Sequence, residues 1–332
     1  MVLLDIPIKN ATSPLRIPTF DGSGQAVHPD VVKIKREESM YILAFTPYPY
    51  SNEKYEKPSI LVSQDGISWY ENGIKNPIIR SSSSELTSDP DIVYANGRFY
   101  LYYVSWRWGG KLFKKAKAIL RQYTKQYFSS IKVIISKDLR NWYGPIQVLK
   151  SGGVSSFLPF TRLIVSPAIT WDGVFRMWYV KVLGCTNTNP HIYYRESLDG
   201  VRWSKEKNVY IKLPKNDVLW HIDVEKLSNN HYWMIIAAYP ESTHCQNIKN
   251  LYLAVSDDGL KWKTFEKPLL TTESKGSWDS DSLYRSTFLV ENGMFHLWYP
   301  GLRGRIWRIG YTCTKIPILD ERIHSLNVVE AK

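Results

Sequence analysis

The 332-residue chain carries 43 Lys and Arg against 31 Asp and Glu, a formal net charge of +12, with 44% hydrophobic residues, 13 Trp and 22 Tyr. That composition excludes a disordered chain, and no apolar stretch approaches the roughly 18 residues of a membrane span. The first ten residues lack the charged start and apolar core of a secretory leader, so a cytoplasmic location is the default expectation. Three cysteines, Cys185, Cys245 and Cys313, are too few and scattered for a disulfide framework or a zinc site. Unpaired thiols are expected, with a bridge between Cys185 and Cys245 as the alternative, and no metal or cofactor.

Aromatic excess suits pleated sheet, and the chain resolves into short strands with a repeating rhythm. The first predicted strand opens at Asp30 and is answered by an aromatic strand at residues 40–45, then by the turn Ser63-Gln64-Asp65-Gly66-Ile67-Ser68-Trp69. The second opens at Asp91, turns at Asn96-Gly97, and continues as an aromatic strand ending near Trp106. Residues 106–129 then interrupt it. Leu112, Phe113, Ala116, Ile119, Leu120 and Tyr123 recur there at helical spacing, predicting an amphipathic helix of roughly three turns. Its polar face is basic: Arg107, Lys111, Lys114, Lys115, Lys117, Arg121 and Lys125.

The turn returns as Ser136-Lys137-Asp138-Leu139-Arg140-Asn141-Trp142. A third strand pair opens at Ala168 and leads to Ser197-Leu198-Asp199-Gly200-Val201-Arg202-Trp203. A fourth opens at Asp223 and leads to Ser256-Asp257-Asp258-Gly259-Leu260-Lys261-Trp262, and a fifth opens at Thr287 and turns at Asn292-Gly293. The Asp-Gly pairs read as hairpin turns and each Trp as the opening of the next strand. Five copies of about 60 residues give one all-β domain over residues 1–332, a five-bladed β-propeller with four-stranded antiparallel blades and the helical insertion in blade two. The fifth blade takes residues 306–314 as its third strand and residues 2–9 or 325–329 as its outermost one, hiding an edge.

Superposing the copies aligns Asp30, Asp91, Ala168, Asp223 and Thr287 at the start of the inner strands. Two residues earlier stand His28, Asp89, Ser166, His221 and Arg285. Inner strands line the channel and residues two apart share a face, so both sets are expected at one mouth. Clustered carboxylates raise one another's pKa, and a separated pair is what glycoside hydrolysis requires. A turn or strand-start role is the bland alternative for each Asp.

His28-Pro29-Asp30-Val31 and Ser88-Asp89-Pro90-Asp91-Ile92 resemble the first two blades of five-bladed glycosidases such as glycoside hydrolase family 43. The resemblance implies a general base at Asp30 and a pKa-tuning carboxylate at Asp91. The expected later-blade Glu is not matched, because Trp220 aligns where it would fall. Val165-Ser166-Pro167 likewise replaces the Glu-Cys-Pro of related sucrose- and fructan-acting enzymes. Asp223 substitutes by position, with Glu225, Glu85, Glu241 and Asp281 as alternative acids.

His28, Asp89, Ser166, His221 and Arg285 are expected to bind substrate, and Trp106, Trp108, Trp220 and Trp278 to stack on sugar rings. Trp171, Trp178, Trp233 and Trp298 are read as core. The expected activity is hydrolysis of an oligo- or polysaccharide, with an acidic one favoured by the basic insertion. The alternatives are a non-catalytic glycan-binding propeller or a phosphorylase or transferase. Nucleic acid is not expected; contact of the insertion with a membrane surface is open.

Overall fold

The computed structural model describes residues 6–35, 39–80, 85–108, 127–151, 163–183, 189–214, 216–228, 231–317 and 329–330. Five antiparallel sheets form the five blades. Blade one contains β1 (Ala26–Lys35), β2 (Ser39–Pro47) and β3 (Ser59–Ser63). Blade two contains β4 (Glu85–Ala95), β5 (Arg98–Trp108), β6 (Tyr127–Ser136) and β7 (Trp142–Lys150). Blade three contains β8 (Leu163–Trp171), β9 (Phe175–Val182), β10 (His191–Ser197) and β11 (Lys207–Asn208).

Blade four contains β12 (Asp217–Ser228), β13 (His231–Pro240), β14 (Asn250–Ser256) and β15 (Lys263–Thr264), with β16 (Leu270–Thr271) also on β14. Blade five contains β17 (Ser282–Leu283), β18 (Thr287–Glu291), β19 (Met294–Arg303) and β20 (Ile306–Lys315). Its expected outer strand is not built as anticipated. Leu15 donates its amide to Ile309 O at 2.8 Å beside a Pro14–Gly310 bridge, while the tail strand β21 (Val329–Glu330) pairs in parallel with β1.

The repeated turns act as clasps between blades. In each, the Asp carboxylate and the Ser hydroxyl collect backbone amides; Asp65 Oδ1 accepts from Ile67 and Ser68, and Ser63 Oγ from Gly66. The glycine carbonyl of the turn is then taken by the preceding blade. Trp298 Nε1 donates to Gly66 O at 2.8 Å, Trp178 Nε1 to Gly259 O at 2.7 Å, and the Tyr102 hydroxyl to Gly200 O at 2.8 Å. Glycine is required at 259 on two counts: its φ is +70°, and a Cβ would stand 2.9 Å from the Trp178 ring. Trp178, Trp233 and Trp298 are fully buried core, as expected.

Trp278 is not at the mouth. Its ring packs at a tilt against Tyr299, its Nε1 donates to Ala11 O, and the ring fills the space that Gly301 and Gly310 leave open. The side chain therefore anchors the N-terminal segment to blade five. Cys245 is buried and disulfide-bonded, which overturns the expectation of an unpaired thiol; Cys313 is free, and Cys185 lies outside the described residues. The insertion in blade two is shorter than expected, because Trp106, Arg107 and Trp108 pair with Ser129, Phe128 and Tyr127 and lengthen the β5–β6 hairpin. The predicted helix and its lysines fall at residues 109–126, outside the described residues. No helix among the described residues is long and apolar enough to cross a membrane.

Candidate active site

The inner strands are not plain pleats where they reach the axis. In β1, β4 and β8 the ladder slips between Val27 and Asp30, Ser88 and Asp91, and Val165 and Ala168. The slipped residue is left-handed in each, His28 at φ 52°, Asp89 at 49° and Ser166 at 51°, and each precedes a proline that has no amide to give the ladder. The bulge re-aims the side chain before the proline. Blade four slips between Leu219 and His221, and blade five breaks entirely at residues 284–286, where Arg285 sits. Bulges rather than simple alternation therefore bring the two aligned sets to the axis.

The set at Asp30, Asp91 and Asp223 closes a ring of side-chain-to-backbone bonds. Asp30 Oδ2 accepts from Ile92 N of blade two at 2.5 Å, and Asp91 Oδ1 from Ile169 N of blade three at 3.2 Å. Blade three has Ala168 at this position, and Ser166 Oγ takes over, accepting from Ile222 N at 2.9 Å. Asp223 accepts from the Thr287 hydroxyl and the Phe288 amide of blade five, and Thr287 Oγ1 accepts from Val31 N of blade one at 3.4 Å. Oxygens of the three Asp residues lie within 4.8 Å of one another, all at most 6% exposed.

Arg285 compensates this charge. Fully buried, it donates to Pro90 O, Pro167 O and Asp91 Oδ2 at 2.7, 2.8 and 3.1 Å. Burial, with the Asp223 carboxylate, pushes Asp30 up to about 7 despite Arg285 and the Ile92 amide. Burial and Asp30 hold Asp91 well above the usual carboxylate range. Beyond this layer a channel of about 90 Å³ continues past Asp223 and Glu225 toward Lys33 and Glu291.

The second set forms a separate cluster. One ligand-capable atom each of His28, Asp89 and His221 lies within 4.8 Å of the others, and the two imidazole centroids are 5.3 Å apart. His28 Nδ1 bonds Thr46 Oγ1 at 2.8 Å, and Thr46 Oγ1 in turn lies 3.5 Å from Val27 O as a donor, so Nδ1 carries the proton and Nε2 offers its lone pair. Nε2 stands 3.2 Å from Asp89 Oδ1 without hydrogen-bond geometry, and both nitrogens of His221 lack a partner. Asp89 is oriented by Ser166 N, which donates to Oδ2 at 2.8 Å.

Burial lowers His28 to about 4 and His221 well below the usual histidine range, so both rings are neutral near pH 7. Burial alone would raise Asp89, but the two histidines, Arg285 and the Ser166 amide bring it below the ordinary carboxylate value. Two neutral imidazoles and one carboxylate, all buried and with orphaned nitrogens converging, have the donor chemistry of a divalent-metal site. The Thr46 bond supplies the outer hydrogen bond that orients a ligating histidine.

Three residues beside this cluster escaped the sequence reading. Glu56 Oε1 lies 4.0 Å from His28 Nδ1, and burial, Asp89 and Glu53 raise its pKa well above the ordinary range. Tyr284 packs against both imidazoles, at centroid distances of 5.0 and 4.7 Å, and Trp307 packs at a tilt against it at 5.4 Å. Signals for two of them existed: Glu56 occupies the connection between β2 and β3, and Tyr284 precedes Arg285.

Trp220 lies at 5.5 Å from His221, at the cluster, and Trp106 Nε1 donates to Ser88 Oγ one residue from Asp89. Of the alternative acids, Glu225 faces the channel; Glu85 is tied to Ser105 and Lys132; Glu241 and Asp281 are exposed, Asp281 accepting from Gly304 N and Ser280 Oγ. None of the four belongs to either cluster.

No protein-family model matches the chain. The A type blood N-acetyl-α-D-galactosamine deacetylase of Flavonifractor plautii is 28% identical over 350 residues, spanning 86% of this chain and 44% of that protein. An uncharacterized protein of Mycobacterium tuberculosis is 30% identical over 197 residues, 53% of this chain and 62% of the other. The chain thus spans roughly half the length of these relatives. The crystal structure of the F. plautii N-acetylgalactosamine deacetylase with blood group B trisaccharide superposes with TM-score 0.76 at 23% identity, covering 96% and 97% of the two chains. A thermostable family-43 glycoside hydrolase gives 0.58 at 15% identity, covering 91% of each chain, and the Coprinopsis cinerea GH62 α-L-arabinofuranosidase 0.60 at 12%, covering 94% and 98%. The fold is that of the five-bladed propeller glycosidases, as the sequence motifs implied.

Proposed function

We propose that this chain is a carbohydrate-acting hydrolase that removes the acyl group from an N-acylated sugar, with a divalent metal held by His28, Asp89 and His221. The observation that carries this reading is the convergence of unpartnered, neutral imidazole nitrogens on Asp89. The deacetylase relative supports it. Bound there, a divalent ion supplies Lewis acidity toward the amide carbonyl and lowers the pKa of water.

The chain's own groups do the rest. Glu56 takes one proton from the attacking water and returns it to the departing amine nitrogen, so that amide and water give a carboxylic acid and an amine, and the acid's proton then passes to the amine to leave carboxylate and ammonium. Tyr284 and Trp220 wall the cluster and exclude bulk water. Thr46 and Ser166 N fix the orientations of His28 and Asp89.

Glycoside hydrolysis through Asp30, Asp91 and Asp223 is the weaker reading. It needs two carboxyls flanking a sugar, about 5–5.5 or 6.5–9.5 Å apart. Here three mutually close carboxyls are each committed to a backbone amide of the next blade or to Arg285. The test is acetate and free-amine release from N-acetylated oligosaccharides, followed through chelation and metal restoration. Release that is abolished by Asp89→Asn and His221→Ala is expected. New reducing ends without acetate, lost in Asp30→Asn, would return the site to a glycosidase.

A further inference from the structure

Outside the cluster, the rim between blades one and five carries two guanidinium groups that no carboxylate among the described residues neutralises. Arg305 is exposed and donates to Tyr50 O at 3.2 Å; Arg308 is half-buried and donates to Trp307 O at 3.0 Å. Neither makes an ion pair among the described residues, whereas Arg176, Arg195, Arg202 and Arg285 are each paired with an acidic side chain. Partial burial without a counter-charge disfavours the cation, and Arg308 is lowered from its ordinary value by that burial, which the Tyr50 phenol opposes. A cation held in this state is poised for an anion that the protein itself does not supply.

The backbone around them is built rather than loose. Tyr50 and Ser51 are both left-handed, at φ 53° and 61°, a conformation that non-glycine residues hold only when surroundings impose it. Buried Gln25 imposes it: its Oε1 accepts from Tyr50 N at 3.0 Å and from Trp307 N at 3.3 Å, tying the loop after β2 to β20. Trp307 Nε1 donates to Ser51 Oγ at 3.0 Å. The result leaves the Tyr50 ring 57% exposed beside the two arginines. Trp307 then connects this rim to the cluster, because its ring packs at a tilt against Tyr284, and Tyr284 packs against both histidines, edge-on to His221.

We infer that Arg305, Arg308 and Tyr50 form a second sugar subsite that reads a negatively charged residue, so that the substrate is an acidic glycan in which an N-acylated sugar is joined to one bearing a carboxylate. Tyr50 presents an aromatic face for the ring, and the guanidinium pair meets the anion. The inference rests on the deacylation reading for its substrate but not for its binding.

The experiment compares an N-acetylated, uronic-acid-containing oligosaccharide with its carboxyl-reduced counterpart. Calorimetric binding and acetate release are both followed, for the full chain and for Arg305→Gln, Arg308→Gln and the double variant. The expected result is a preference of roughly tenfold or more for the charged oligosaccharide, in Kd and KM. That ratio falls toward one in the double variant, and in the wild type it shrinks as ionic strength rises. Lys263→Gln, an exposed charge next to a distant turn, controls for net charge and keeps the ratio. Equal affinity of the wild type for both oligosaccharides, or an equal loss of preference in Lys263→Gln, overturns the subsite. Selective binding without acetate release leaves the subsite standing and refutes the deacylation reading. Arg305→Gln alone, at an exposed position, guards against misfolding of the double variant and is expected to lower the ratio in part.

Discussion

Replacing Arg285 by Met removes the guanidinium while keeping an unbranched side chain in the same space. The wild-type group is fully buried, bonded to two carbonyls of neighbouring blades, and paired with Asp91 in the midst of three carboxyls. Deleting one partner of a buried ion pair costs about 3–5 kcal/mol, a large share of a total stability of about 5–15 kcal/mol. With an unfolding entropy of ~2.1 cal/mol/K per residue, a chain of this length loses about 4–7 °C in Tm. Calorimetry and urea titration of Arg285→Met, Asp91→Asn and the double variant measure it. Because neutralising both partners removes the uncompensated charge, the double variant should recover at least about 1 kcal/mol relative to additivity. A loss below about 1 kcal/mol in Arg285→Met, or strict additivity, would refute the reading of this layer as a charge-compensated clasp.

Other outcomes follow from the same structure. Adding zinc or manganese at about 100 times its Kd should stabilise the wild type by about 2.7 kcal/mol; a shift of the same size in His28→Ala or Asp89→Asn would remove the metal from that cluster. Gly259→Ala forces a left-handed alanine against Trp178 and should cost about 1–3 kcal/mol, whereas an unchanged urea midpoint would show that the turn does not clasp blade three. In Asp65 and Asp199 slight burial is outweighed by turn amides and hydroxyls, which lower both carboxyls. Their unfolded forms therefore bind protons first as pH falls. The stabilisation they contribute is present above about pH 4 and is lost below it, so Asp199→Ala should flatten the acid limb of the stability profile. An unchanged acid limb counts against that assignment.

Much of the ring was legible from local chemistry. The Ser-x-Asp-Gly turns, the Asn-Gly hairpins and the alternating aromatic strands specify their own conformations, because hydrogen bonds and φ preferences act within a few residues. Register across the five copies placed His28, Asp89, His221 and Arg285 at equivalent positions without any knowledge of their contacts. The edge of blade five, the bond of Cys245 and the anchoring of Trp278 were not legible, since each depends on which distant segment arrives to cover it.

What tertiary structure alone decided is the division of labour at the axis. The superposed copies pointed to Asp30, Asp91 and Asp223 as the chemical residues and to His28 and His221 as substrate-binding ones, with no metal expected. Bulges, proline-linked at His28 and Asp89 but not at His221, and the narrowing of five packed inner strands bring the two imidazoles to 5.3 Å and turn Asp30 and Asp91 toward the next blade's amides. Arg285 reaches that centre only because β17 and β18 are separated by a break. Local periodicity describes a strand's two faces; the distance between side chains on strands from opposite sides of a closing ring is set by how tightly the blades pack, and no single strand contains that information.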